Sequence, residues 1–240
     1  MNLQEQRITH AFNRAAATYN QHAHTQAKAG QELIRHLIHQ KNNFTSVVDA
    51  GCGTGLTTTA LAAAIQFASL LGVDTASALL DQAVAADNIR YQKLNFNDIT
   101  GCYDLIFSNM ALHWSRSLSH TLTVLHQALA SDGLLAFTIP LHGTFSELHG
   151  RFATHPFLTM AAVQSSLRAT GYQLLEAKEL VYCEQFSDAR AALRSLKLTG
   201  THYVHQQKQE TLRGKSILSQ LHFNQLSYHI GIFILGKQHG

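Results

Sequence analysis

The chain has 240 residues, 45% hydrophobic and 14% charged, with a formal net charge of +3 that is spread without any Lys/Arg block. This composition supports one folded domain and excludes a disordered chain, while the charge pattern disfavours a nucleic-acid-binding arm and leaves an acidic partner as a mild expectation. Three dispersed cysteines (Cys52, Cys102, Cys183), a polar N-terminus and no apolar run of roughly 20 residues point to a reducing cytoplasm, with no disulfide framework, signal peptide or membrane span.

In chain order, residues 1–40 are expected to form a helical cap, with Leu33, Ile34, Leu37 and Ile38 at helical spacing. "FTSVVDA" (44–50) reads as a buried strand, and "LTTTALAAAI" (56–65) as a helix starting directly after a glycine loop. "FASLLGVD" (67–74) is a second strand ending in an acid, and "SALLDQAVAAD" (77–87) a helix with Ser77 as its N-cap. "IRYQKLNFND" (89–98) alternates like a half-buried strand and again ends in an acid. "YDLIFSNMAL" (103–112) is strand four, "LSHTLTVLHQALA" (118–130) a helix, Ser131-Asp132-Gly133 a turn, and "LLAFTIP" (134–140) strand five. Five strands alternating with helices predict a doubly wound parallel sheet, so residues 49–55, 74, 98 and 109–114 gather at one ligand-binding edge. Two further strands (173–186 and 227–237) bracket a helix over 187–200, which is expected to cover that edge.

The stretch "VVDAGCGTG" (47–55) raises the question of which nucleotide is held. A dinucleotide fingerprint needs glycine at 51, 53 and 56, but Leu56 stands there, and no GxxxxGK[ST] loop is present. What remains is Asp49 with Gly51, Gly53 and Gly55, suited to S-adenosylmethionine: an acid for its ammonium and backbone N–H groups for its carboxylate. Asp74 suits the ribose hydroxyls, and Asp98, with Ile99 alongside, the adenine amino group. Sixteen His form close pairs at His22/His24, His36/His39 and His202/His205, none at zinc spacing, so no metal is expected.

The segments VVDAGCGTG, GVD, NDI and SNMALHW resemble successive motifs of class I S-adenosylmethionine-dependent methyltransferases. "AFNRAAATYNQHAHTQ" (11–26), "SNMALHW" (108–114), "LLAFTIPLHGTFSEL" (134–148) and "LRSLKLTGTHYV" (193–204) resemble the malonyl-acyl-carrier-protein O-methyltransferases of biotin synthesis. Asn20 stands where the family has Asp, His113 where it has Gln and Thr201 where it has Ala; the region 150–165 is short and lacks an H-x-N-x-F element. The resemblance implies a Rossmann-like α/β fold: a mostly parallel seven-stranded sheet with an antiparallel C-terminal strand and a helical lid. It implies a single domain with a cap (1–40), a cofactor core (44–140), substrate-side elements (141–225) and a terminal strand (226–240).

The activity implied is methyl transfer from S-adenosyl-L-methionine to the free carboxylate of a malonyl thioester on acyl carrier protein or CoA, with S-adenosyl-L-homocysteine as product. No general base is required, since a carboxylate is already ionised at neutral pH. The cofactor residues implied are Tyr19 as a lid, Asp49, Ala50, Gly51, Gly53 and Gly55 in the loop, Asp74 and Thr75, Asn97, Asp98 and Ile99, and Asn109 and Ala111. Tyr19, His22, His113 and Trp114 are positioning candidates, and Arg116 and Lys197 are candidates for the substrate or its carrier. A monomer or weak dimer is expected. Acceptor alternatives are a small free carboxylic acid or a quinone-type ring; a cofactor-binding module without turnover is a third reading. A nucleic-acid amino-methyltransferase is disfavoured, because Asn109-Met110-Ala111-Leu112 is not an Asn/Asp-Pro-Pro-aromatic motif.

Overall fold

The computed structural model describes residues 3–150, 152, 154–201 and 223–237. The His202/His205 pair, the end of the 193–204 segment, part of the 141–225 span and the last residues of the expected terminal strand lie outside the described residues.

Helices α1 (Leu3–His22) and α2 (His24–Gln40) precede the sheet. Then come β1 (Ser46–Ala50), α3 (Leu56–Ala64), β2 (Ser69–Asp74), α4 (Ser77–Leu80), β3 (Ile89–Lys93), β4 (Tyr103–Asn109), α5 (Leu118–Ala128) and β5 (Leu129–Pro140). The remaining elements are α6 (Met160–Ala169), β6 (Tyr172–Gln185), α7 (Ala189–Leu198) and β7 (Gln225–Lys237). The strand order is β3-β2-β1-β4-β5-β7-β6. The first five strands pair in parallel, and β7 runs antiparallel to both β5 and β6. The expected sheet and its antiparallel terminal strand are therefore present. The order reverses between β1 and β4, which opens a crevice at their carboxyl ends.

Pleat alternation builds the two cores. Val48 and Ile106 face one layer with Leu122, Leu125, Val163 and Leu167 of α5 and α6. Their neighbours Val47, Leu105 and Phe107 face the other, with Leu33, Ile34 and Leu37 of α2 and Leu61 of α3. Among the described residues no helix is long and apolar enough to cross a membrane.

Five expectations need correction. Strand three ends at Lys93 and not at Asp98, because Asn95 Oδ1 accepts from Asn97 N at 2.9 Å and caps a 3₁₀ turn over Phe96–Asp98. The helix over 77–87 is a single turn, because only Leu79 buries a side chain and Val84 is exposed. Ser77 is not its N-cap; the backbone N–H of Ala78 donates instead to Asn13 Oδ1 of α1, at 2.9 Å. Strand four ends at Asn109, because Met110 takes a positive φ of 53° and a 3₁₀ turn follows over Leu112–Trp114. Ser131-Asp132-Gly133 is a bulge inside β5: pairing jumps from Tyr103↔Leu129 to Leu105↔Leu134, and a Cβ at Gly133 would come within 2.9 Å of the Tyr103 carbonyl.

Helix α7 is capped by Asp188, whose Oδ1 accepts from Ala191 N at 2.8 Å. Asp188→Ala is expected to cost about 1 kcal/mol and lower the thermal midpoint by roughly 2–4 °C, read in a melting scan.

Candidate functional site

The glycine loop links β1 to α3 beside the end of β2. Gly51 and Cys52 donate their N–H groups to Val73 O at 2.8 and 3.0 Å. Gly51 has φ +81°, and a Cβ there would lie 2.3 Å from the Ala111 methyl. Gly55 has φ +75° and faces the Tyr91 hydroxyl, 2.6 Å from where a Cβ would stand. Neither position tolerates a side chain. Thr54 Oγ1 donates to Asn20 Oδ1 at 2.6 Å, which fastens the loop to α1. Cys52 is buried, and burial pushes its thiol well up, so it is no nucleophile here.

Two acids sit beneath this loop. Asp49 is 1% exposed, and its Oδ2 accepts from Thr58 Oγ1 at 2.6 Å. Burial pushes its carboxyl up to about 7; the nearby Asp74 charge adds to this, while the Thr58 hydrogen bond opposes it. Asp74 Oδ2 accepts from Gly53 N at 3.0 Å and Oδ1 from Ala76 N at 2.8 Å. Burial raises its carboxyl too, against the pull of those N–H groups. Each Asp74 oxygen keeps a further lone pair for a hydroxyl donor.

Three cavities meet at Tyr19, which lines all of them. One, of about 30 Å³, is bounded by Asp49, Gly51, Gly53, Thr54, Gln26 and Asn109. The second, of about 80 Å³, is bounded by Asp74, Thr75, Leu79, Leu94, Phe96 and Ala111. No Lys, Arg or His among the described residues lines either one. A buried and a half-buried carboxyl without a lining cation among the described residues suit a positively charged ligand and repel phosphates. Burial and the Asp74 charge keep the Tyr19 phenol protonated, so it is a hydrogen-bond donor.

The third cavity, of about 190 Å³, is aromatic: Phe12, Trp114, Phe145, Phe152, Phe157 and Tyr228 line it with Met110, His113 and His155. Met110 and Phe145, the non-glycine residues with positive φ among those described, are both in this wall. Such strain gathers at functional sites. His113 is held neutral by burial, with the nearby His155 adding to the effect, and its buried Nδ1 has no hydrogen-bond partner.

A family profile described as "methyltransferase domain" matches residues 6–198. The chain is 32% identical over 244 residues to malonyl-[acyl-carrier protein] O-methyltransferase 2 of Coxiella burnetii, covering 99% of this chain and 98% of that one. It is 31% identical to the malonyl-[acyl-carrier protein] O-methyltransferase of Erwinia pyrifoliae, covering 90% of this chain and 84% of that one. The chain belongs to the malonyl-[acyl-carrier protein] O-methyltransferase family. It is a class I S-adenosylmethionine-dependent methyltransferase. A DhpI–SAH complex shares the fold, with TM-score 0.59, 13% identity and 95% of both chains covered.

In this methyltransferase the crevice brings Tyr19, Asp49, Gly51, Gly53, Asp74, Thr75, Asn109 and Ala111 to the first two cavities. The Asn109 amide is also a structural tie: it donates to Gln26 O at 2.9 Å and accepts from Thr138 Oγ1 at 2.7 Å. Ala50 and Ile99 are buried in the core, and Gly55 starts α3. Asn97 Oδ1 accepts from Thr121 Oγ1 at 2.6 Å, and Asp98 is exposed and lines none of the three cavities. His113 and Trp114 line the aromatic chamber, whereas His22, at the end of α1, does not. Arg116 and Lys197 are exposed and outside the chamber: Arg116 borders a neighbouring cavity with Leu118 and Leu158, and Lys197 an outer groove.

Sequence reasoning missed Phe12, Phe145, Phe157 and Tyr228 as chamber walls; Phe12 and Phe145 lay within family-like segments (11–26 and 134–148), but nothing marked their side chains as facing a pocket. The short 150–165 region supplies Phe152, Thr154, His155 and Phe157. Two of the departures from the family pattern, His113 and Thr201, are in this chamber, and Asn20 serves the glycine loop.

Proposed function

We propose that this methyltransferase esterifies the free carboxylate of a malonyl thioester carried on acyl carrier protein, yielding the methyl ester that primes pimeloyl synthesis for biotin. One observation carries the acceptor reading: an aromatic chamber lined, among the described residues, by no Lys or Arg adjoins, across Tyr19, two cavities that favour a cation. The named activity of the relatives at 32% and 31% identity supports the same acceptor.

Bound S-adenosylmethionine supplies a methyl group on a positively charged sulfur and leaves as S-adenosyl-L-homocysteine. Asp49 would hold its ammonium and Asp74 its ribose hydroxyls, with Thr75, Leu94 and Phe96 around the base; Asp98 stays a candidate for the adenine amino group. On the acceptor side no group needs to take a proton, because the malonyl carboxylate is already ionised. The chain's task is to orient that carboxylate and exclude water, and positioning can supply about 7–11 kcal/mol. Neutral donors from Tyr19, His113, Thr144 and Thr201 can orient it without neutralising it, which a Lys or Arg partner would do. The ester product removes a charge that is costly to bury, so an apolar elongation pocket can then accept the chain.

Incubation with methyl-labelled S-adenosylmethionine and malonyl-carrier protein is expected to give a base-labile labelled ester; absence of label on the carrier contradicts the proposal. In the same assay His113→Phe keeps an aromatic wall but loses the donor. It is expected to lower kcat/KM about 10–100-fold, the worth of one hydrogen bond to a charged group, with cofactor affinity within about twofold.

A further inference from the structure

Helices α1 and α7 wall the acceptor chamber with Phe12, Tyr19, Leu193 and Leu196. Between their other faces runs a groove of about 520 Å³, lined by Arg14, Arg194 and Lys197 with the small residues Ala11 and Ala15. Arg190 extends the row by one turn of α7, whose charged residues are all basic. All four cations are exposed. None makes an ion pair or hydrogen bond with another described residue. Asp188, the acid nearest in sequence, is committed to capping α7 through Ala191 N. Like charges gathered without counter-ions repel one another, and such a surface is suited to an anionic partner. Among the described residues no aromatic side chain lines the groove for base stacking.

We propose, on the malonyl-carrier reading above, that this groove docks the acidic helix of the acyl carrier protein. The carrier then sits over the two helices that enclose the acceptor chamber, and its flexible arm delivers the thioester past them. The groove confers preference for the carrier; the chamber alone handles the malonyl group.

Steady-state kinetics on the full chain with malonyl-carrier protein and with malonyl-pantetheine test this. Arg14→Glu/Arg194→Glu is expected to raise KM for malonyl-carrier protein about tenfold or more, with kcat and the malonyl-pantetheine kcat/KM within about twofold. Wild-type KM for the carrier should rise steeply between about 50 and 500 mM salt, and that dependence should flatten in the variant. Arg14→Gln/Arg194→Gln, a gentler change to the fold, should give an intermediate KM. Unchanged carrier KM in folded variants overturns the docking site, as does an equal loss on both substrates. So does a loss of RNA binding that leaves carrier kinetics intact. Wild-type protein that methylates malonyl-pantetheine but not malonyl-carrier protein overturns the carrier reading itself, whatever the groove does.

Discussion

Asp49→Asn is expected to make the free protein more stable while abolishing its use of the cofactor. Burial, with Asp74 nearby, pushes the Asp49 carboxyl up to about 7 in the folded chain, and the Thr58 hydrogen bond offsets this only in part. Its folded value lies above the unfolded value, so the folded state binds the extra proton between about pH 4 and 7, and stability falls as pH rises through that window. Asparagine has no charge to desolvate. The variant should match the parent near pH 4 and exceed it by something on the order of 2–4 kcal/mol at pH 8, read from denaturant titrations.

Cofactor binding has the opposite sign. A bound ammonium favours the ionised carboxylate, so binding should release a proton, and parent affinity should rise from pH 5 to about 7 and then level off. Asp49→Asn should flatten that profile and weaken binding by about 100-fold or more, the cost of removing one partner of a buried charge pair. Calorimetry in buffers of different ionisation enthalpy reads the proton. A variant that binds as tightly as the parent would remove Asp49 from the cofactor site.

Gly51→Ala is expected to be as damaging for a different reason. The new methyl would stand 2.3 Å from that of Ala111, on a backbone held at φ +81°. Either the glycine loop or the segment after β4 must move, and Met110 beside it is already strained at φ 53°. A loss of about 2–4 kcal/mol in stability is expected, with cofactor affinity reduced by about 100-fold, because Gly51 and Ala111 line the same cavity. Gly51→Ala/Ala111→Gly should recover the part due to contact and not the part due to φ, giving a coupling of at least about 1 kcal/mol in a double-mutant cycle. Gly53→Ala separates space from function. The nearest atom to a Cβ there is 3.9 Å away, so the stability loss should be only the left-handed backbone cost at φ +57°, about 1–2 kcal/mol, while the methyl intrudes on the cofactor's space.

The cofactor half of this site was legible because strand ends and glycines leave local marks. Short apolar runs meet acids at Asp49 and Asp74, and the sheet topology then forces those ends together. Leu56 was enough to reject a dinucleotide, and the cavities, lined by acids and, among the described residues, by no cation, agree. The acceptor chamber was not legible, because its walls come from α1, the turn after β4, residues 145–157, α7 and β7, with no common spacing. Charge could be seen at Arg116 and Lys197, but not which way it faced. Helical propensity in 77–87 was overruled because the segment finds nothing to bury against beyond Leu79, and Ser77 yielded its capping role to Asn13, far away in sequence.

The acceptor comparison tests the central claim most directly: kcat/KM for malonyl-carrier protein, malonyl-CoA and free malonate at one cofactor concentration. The account predicts methyl esters on the thioesters, malonyl-carrier protein foremost, and at least about 100-fold less on free malonate, which lacks the arm that places its carboxylate in the chamber. Free malonate methylated as well as the thioesters, or no ester from any of the three, would contradict it.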